Sequence, residues 1–467
     1  MLRNARHIVI CALALLTLSG FYLTSYSNFS LQGSTSAPDV LFEKSRTKSP
    51  LSPHVHTYFD QVFGVETPPL YSFQAIKAAC ARAEWKEENK DVYLRCGGMS
   101  AGMTSIMSQV KVCLKMGIDA GVHIVLPAMP LRDSNDLLNF NLFNDSAYMP
   151  YENWFDSEHL TSSMSRACPQ MKIKHSKGLG TANMLVAHEW TMDVNSAPGF
   201  QWLAGYFWVG RPFKVWFDAE LSRLRSSSSD KSDVETRAEG DERAASNSIL
   251  QQGATIISIA SQFLIYRITD DATGRDLALW NDISHLVRFK EPTRVVIAKV
   301  LSQIERPFIG IHFRTERDNI WSSFDTQLKR DLDTLDTLLL QSGTDPEEKP
   351  LLYLACGDQS QIERFRESAS QRGWAVTSKY DIVQDDTDTL SQLAAMPFDF
   401  QGAVDMGIML KSHFFLGITG SAFSSTIANM RDSTGRYRGS SIVFQDDGNA
   451  RTHLFNDGDA SGYACCL

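Results

Sequence analysis

The chain has 467 residues, 43% of them hydrophobic and 21% charged, which exceeds what one hydrophobic core sustains and predicts two domains of roughly 150 to 200 residues. A formal charge of −9 without a basic stripe excludes a nucleic-acid backbone as the main partner, and leaves room only for a local basic pocket holding one small anion.

The N-terminus carries the address. Arg3 and Arg6 precede Ile8–Tyr26, 19 residues without a charge, and no Lys or Arg follows until Lys44. This pattern predicts a cytoplasmic tail (1–7), a signal-anchor transmembrane helix (8–26) and a luminal body, a single-pass type II protein of the ER or Golgi membrane. A cleaved signal peptide, with Ile8–Leu18 as its apolar region and Ser19 and Gly20 at the cut, is the rival reading. Both place the body in the secretory lumen. Seven cysteines (80, 96, 113, 168, 356, 465 and 466) then meet an oxidising compartment, so disulfides are expected, and spacing does not choose their pairing. Asn28 and Asn144 each begin an N-glycosylation sequon.

Residues 27–70 are rich in Ser, Thr and Pro and read as a stem. The N-terminal domain (71–305) opens with a helix over Ser72–Glu88 behind a serine cap. Val92–Met129 has the clearest βαβ pattern: a strand at Val92–Leu94, a turn at Gly97–Gly102, a helix over Met103–Met116 and a strand at His123–Leu126. A glycine turn feeding a helix offers backbone N–H groups to an anion, but taken alone Gly97 and Gly98 read more readily as a tight structural turn. Trp154, Phe155, Trp190, Trp202, Phe207, Trp208, Trp216 and Phe217 read as core more than as the wall of an acceptor cleft. Residues 226–248 are almost devoid of apolar side chains and read as a disordered insertion. Ala254–Tyr266 is a buried run, and a helix over Thr293–Ile304 precedes the domain boundary near Arg306.

The C-terminal domain (306–467) starts with Pro307–Asp318, where the apolar Phe308, Ile309, Ile311 and Phe313 give way to His312, Arg314, Glu316, Arg317 and Asp318. A buried strand that ends in charge, in an open α/β sheet, delivers a guanidinium to the place where such sheets bind ligands. Leu351–Ala355 is a second strand, Ser360–Ser370 a helix and Trp374–Thr377 a third strand. In Val404–Arg431, Asp405 opens a helix, His413–Ile418 is a strand, and a turn to Phe423 leads into a helix from Ser424. Ser421 or Ser424 suits either a phosphate or a helix cap. The alternation of strands and helices predicts a parallel, doubly wound α/β class.

These segments resemble the GDP-fucose-dependent O-fucosyltransferase superfamily. Three pieces match in order: the glycine-rich first βα turn, the His-x-Arg strand end at His312-Phe313-Arg314, and an Asp followed eighteen residues later by the Phe of a Ser-rich turn, Asp405 and Phe423. The resemblance implies a GT-B fold, two facing Rossmann-like domains, and an inverting, metal-independent transfer of fucose from GDP-fucose to an acceptor hydroxyl. It implies that Arg314 contacts the β-phosphate and stabilises departing GDP, that His312 lines the nucleotide pocket, that Asp405 recognises the guanine edge, and that Ser421, Ala422, Phe423 and Ser424 surround base and phosphates, with Gly97 and Gly98 on the facing side. The chain departs from the pattern at Ala101, where many members carry Asn, and at Ala422, where a Ser is usual. Another nucleotide-sugar transferase on the same fold, or a catalytically inactive Golgi binding protein, are the alternative readings. Asp386-Thr387-Asp388 and Asp457-Gly458-Asp459 have the D-x-D form that some transferases use to hold a cation, and read here as solvated turns. A general base for the acceptor hydroxyl is expected and the sequence does not choose one; Glu316 is only the carboxylate nearest in sequence to the leaving group.

Overall fold

A computed structural model describes residues 53–133, 136, 139, 141, 144–179, 185–197, 211–235, 253–261, 274–315, 322–342, 349–418, 421–431, 440–444 and 450–451. The anchor at 8–26, the sequon at Asn28, Glu316, Asp457 and Asp459 lie outside them. Among the described residues no helix is long and apolar enough to cross a membrane.

Two parallel sheets organise the chain. The first has the order β5-β2-β1-β7-β6, from Val92–Gly97 (β1), His123–Val125 (β2), Ile173–Lys174 (β5), Val186–Met192 (β6) and Ala254–Ala260 (β7); a small antiparallel pair, Ala128–Pro130 (β3) and Tyr148–Pro150 (β4), stands apart. The second has the order β10-β9-β8-β11-β12-β13, from Phe308–His312 (β8), Leu351–Ala355 (β9), Val376–Thr377 (β10), Phe414–Ile418 (β11), Ser441–Phe444 (β12) and Ala450–Arg451 (β13). Among the described residues only β13 pairs antiparallel in this sheet. These are two Rossmann-like lobes in the GT-B arrangement. Each strand order reverses beside one central strand, between β1 and β7 and between β8 and β11, and a crevice opens beyond the carboxyl ends at such a point.

Helix Met103–Ala120 (α3) is buried on nearly every side. It packs against helices of the first lobe, Arg211–Glu235 (α5) and Arg275–Ser284 (α6), and against Phe398–Leu410 (α11) and Ala422–Arg431 (α12) of the second. The two lobes therefore share one apolar core. Gly121, at φ 67°, ends α3, and a Cβ there would lie 2.1 Å from the Glu84 carbonyl oxygen. Two disulfides staple the first lobe: Cys96–Cys113 ties β1 to α3, and Cys80–Cys168 ties helix Gln74–Arg82 (α2) to the end of helix Ser157–Ala167 (α4).

Several sequence expectations change. Part of the supposed stem is helix: Pro53–Val62 (α1) buries Val55, Tyr58 and Val62, with Phe63 just beyond, against α11 and α12. Its apolar positions follow helical spacing inside a polar composition, and the composition masks them. The helix expected over Ser72–Glu88 is α2 alone. Its N-cap is Phe73 at φ 48°, without a side-chain cap, so Ser72 does not cap it. Helix α5 continues through 226–235, part of the stretch read as disordered. Helix Glu291–Ser302 (α7), placed by sequence in the first domain, packs on α11 of the second; Gly407 allows the approach, since a Cβ there would lie 2.7 Å from Ile297. Helix α11 begins at Phe398, so Asp405 lies inside it and does not open it. Trp154, Phe155, Trp216 and Phe217 are buried core, as expected.

Helix α1 is held at its C-terminal end by two buried arginines. Arg288 donates to the carbonyls of Asp60, Gln61, Gly64 and Glu66 at 2.6–3.0 Å, and Arg294 to those of Gly64, Val65 and Phe289 at 2.8–3.2 Å. Replacing Arg288 by Met removes the donor to the Asp60, Gln61 and Glu66 carbonyls and leaves Gly64 to Arg294 alone, so urea unfolding is expected to show a loss of about 3 kcal/mol or more. A loss under about 1 kcal/mol would mean that water or backbone movement satisfies them.

Candidate functional site

A cleft of about 240 Å³ lies between the lobes, at the strand ends where both sheets reverse. From the second lobe come His312 and Arg314 at the end of β8 and just beyond it, Ala355, Cys356 and Gly357 at the end of β9 and just beyond it, and Ser421, Ala422 and Phe423 at the start of α12. Lys379 and Tyr380 of a single-turn helix and Asp399, Gln401 and Asp405 of α11 complete that side. The first lobe contributes Ala101–Ser105 and Arg132.

The segments that follow β8 and β1 are each fixed by a buried glutamine that reads one residue's backbone as a strand partner would. Gln327 of helix Phe324–Ser342 (α8) accepts the Arg314 N–H at 3.1 Å and donates to its carbonyl at 2.7 Å. Gln109 of α3 does the same for Ser100, accepting at 3.3 Å and donating at 2.7 Å. The backbone carrying Arg314 is thereby held rigid, the condition for a preorganised cation.

His312 stands 2.7 Å from the Ser424 hydroxyl through Nδ1, and that hydroxyl accepts the Ile418 N–H at 3.0 Å. The Ser424 hydroxyl can donate to Nδ1, the arrangement that leaves the imidazole proton on Nε2. Burial, helped by the neighbouring Arg314 charge, lowers the His312 pKa to about 3, so the ring is neutral at physiological pH. Phe423 packs on the ring, with centroids 4.6 Å apart. Ser424 thus supports His312 from behind and is absent from the cleft wall. Ser421 accepts the Ser424 N–H at 3.4 Å and caps α12 while its residue also lines the cleft, so the cap and anion readings coexist there.

Asp405 differs from the sequence picture. Its carboxylate is buried, with Oδ1 accepting from the Tyr353 hydroxyl at 2.6 Å and Oδ2 from Lys379 Nζ at 2.5 Å. It is already half of an ion pair, and Lys379 shares its place on the wall. Gly97 ends β1 and Gly98 follows at φ 67°; neither lines the cleft, and the contact from that turn comes instead from Ala101 to Ser105. Ala101 holds φ 83°, a region that favours Gly and Asn. Asp386 of the first D-x-D caps helix Thr387–Ala395 (α10), accepting from the N–H and hydroxyl of Thr389 at 3.0 and 2.6 Å.

Sequence reading missed Arg132, Lys379, Asp399, Gln109 and Gln327. Asp399 carried one signal, a carboxylate in the first turn of a helix opened after a proline. The others act through tertiary contacts with no local pattern.

The chain is similar to a number of solved structures. POFUT1 in complex with GDP shares 11% identity over 76% of this chain and 98% of that one, with a TM-score of 0.41. POFUT1 in complex with GDP-fucose shares 12% over 77% and 99%, with a TM-score of 0.42. A mutant of Arabidopsis thaliana FUT1 in complex with GDP shares 10% over 85% and 80%, with a TM-score of 0.35. No protein-family model matches the sequence, and no curated protein does. Residue roles are therefore drawn from the geometry of this cleft.

Two measurements check that geometry. The unfolded chain protonates each histidine near pH 6.5, whereas folded His312 does so at about 3, so the unfolded state binds more protons between these values. Stability is thus expected to fall as pH drops through that window, and His312→Gln to fall less steeply; parallel curves would refute the buried neutral imidazole. Ala101→Gly removes a left-handed strain and is expected to gain about 0.5–1 kcal/mol in thermal unfolding, after the entropic cost of glycine; a loss would contradict the strain.

Proposed function

We propose that this protein is a glycosyltransferase that moves fucose from GDP-fucose to an acceptor hydroxyl, inverting the anomeric centre without a metal, in the lumen of the ER or Golgi. The observation that carries the reading is one cleft that gathers His312, Arg314, Asp405, Ser421 and Phe423 from the second lobe and faces them with the turn after β1. These residues are far apart in the chain, and they are the ones the ordered sequence pattern singles out. The two disulfides support a secretory compartment.

The chemistry follows from charge. The bond between the fucose anomeric carbon and the β-phosphate oxygen breaks, its electron pair leaves with GDP and the sugar ring becomes cationic; the acceptor oxygen bonds to the opposite face of that carbon, and its proton passes to the departing diphosphate or to water. Arg314 on a clamped backbone donates N–H groups to the developing phosphate charge, an interaction stronger in the transition state than in the ground state. Neutral His312 offers Nε2–H as a second donor without adding a cation. Both carboxylates of the wall, Asp399 and Asp405, are ion-paired, so they shape the site through Arg132 and Lys379.

Thermal-shift titration with GDP-fucose and other nucleotide sugars tests the donor, and GDP-fucose is expected to give the largest shift. Turnover is expected to survive excess EDTA and to fall about 10²–10³-fold in Arg314→Ala. A larger shift with another donor would name a different transferase. Binding without turnover would identify a binding protein, and unchanged turnover in Arg314→Ala would defeat the mechanism.

A further inference from the structure

Arg132 is the one guanidinium of the first lobe on the cleft wall among the described residues, facing the lobe that carries Arg314. Its place is built by contacts that cross between lobes. Asp399 of α11 is buried, and its Oδ1 accepts from Arg132 Nε at 3.1 Å and lies 3.0 Å from Nη2. Its Oδ2 accepts the Arg132 backbone N–H at 3.2 Å, while Oδ1 also takes the Met103 N–H at 3.2 Å. Helix α3 has Gly102 at its N-cap and no capping side chain of its own, so the carboxylate of the opposite lobe serves its first turn. The guanidinium lies over Gly102, where a Cβ would come within 3.2 Å of Nη2, and over the Phe398 ring, with Cζ 5.0 Å from the centroid. A guanidinium has five N–H groups, and Asp399 Oδ1 takes the Nε–Nη2 edge, leaving the Nη1 side for another acceptor.

Resting on the donor reading above, we propose that Arg132 is a second anion contact for the diphosphate, gripping it from the first lobe as Arg314 grips it from the second, with Asp399 as its positioning residue. The arrangement has a physical logic. A diphosphate carries charge over several oxygens, and two cations on separate lobes can bind opposite sides of it only when the lobes hold their closed relation. Asp399 sets that relation while lowering the cost of keeping Arg132 nearly dry. The methyl side chain of Ala101 donates no hydrogen bond, and beside the hydroxyl residues Thr104 and Ser105 the cation of the first lobe on this wall is Arg132, a residue that no sequence pattern marks.

The test is calorimetric titration of the full-length protein with GDP, inorganic pyrophosphate and guanosine. Arg132→Gln is expected to weaken GDP and pyrophosphate about tenfold or more and leave guanosine unchanged, with Arg132→Lys recovering part of the loss. Because Arg132→Gln leaves Asp399 buried without a cation, the double variant Arg132→Met/Asp399→Leu removes both charges and is expected to show the same loss in a protein whose melting temperature confirms folding. Unchanged GDP and pyrophosphate affinity in a folded variant, or a parallel fall for guanosine, overturns the proposal. Wild-type protein that binds pyrophosphate but neither GDP nor guanosine defeats the donor reading alone, and the pyrophosphate arm then decides Arg132. Wild-type protein that binds neither anion overturns both.

Discussion

The structure depends on how a buried carboxylate, Asp399, is satisfied. Moving a carboxylate out of water costs several kcal/mol, and the cost is met only where donors converge on it. Here the donors are the Arg132 side chain, the Arg132 backbone and the first N–H of α3, all in the other lobe. The interaction is therefore satisfied in one relative placement of the two sheets. That placement brings the carboxyl end of β1 opposite the carboxyl ends of β8 and β11, and the cleft is the space left between them.

Within this frame the same device recurs. Helix α11 supplies two acidic side chains to the cleft wall, Asp399 and Asp405, and each holds a basic one, Arg132 and Lys379. The backbones that carry the strand-end residues are locked by Gln327 and Gln109. Ser424 locks the His312 ring from behind. Each of these cleft residues thus has a partner that fixes its position. The proposed transfer would need this, because a donor that must reorganise during a reaction forfeits much of its effect.

Much of this was legible in the sequence where the signal is local. The strand Phe308–His312 announced itself by apolar residues running into charge, and β9, β11 and the βα unit after Val92 by run length and turn residues. His312, Arg314, Asp405, Ser421 and Phe423, the set that the family resemblance groups, line one cleft. What stayed hidden depends on partners distant in the chain. Asp405 reads as a helix opener because its run of apolar neighbours starts there, yet the helix begins seven residues earlier, at Phe398. Helix α1 was masked by the polar residues between its buried positions, and Arg132 has no meaning until Asp399 lies beside it.

The central claim is that the cleft binds a nucleoside diphosphate by guanidinium contacts from the strand ends. A crystal structure of the full-length protein with GDP tests this most directly. The diphosphate is expected to lie between the lobes, with a β-phosphate oxygen within hydrogen-bond distance of the Arg314 guanidinium. GDP bound elsewhere, or bound in the cleft with its diphosphate turned away from Arg314, would contradict the account.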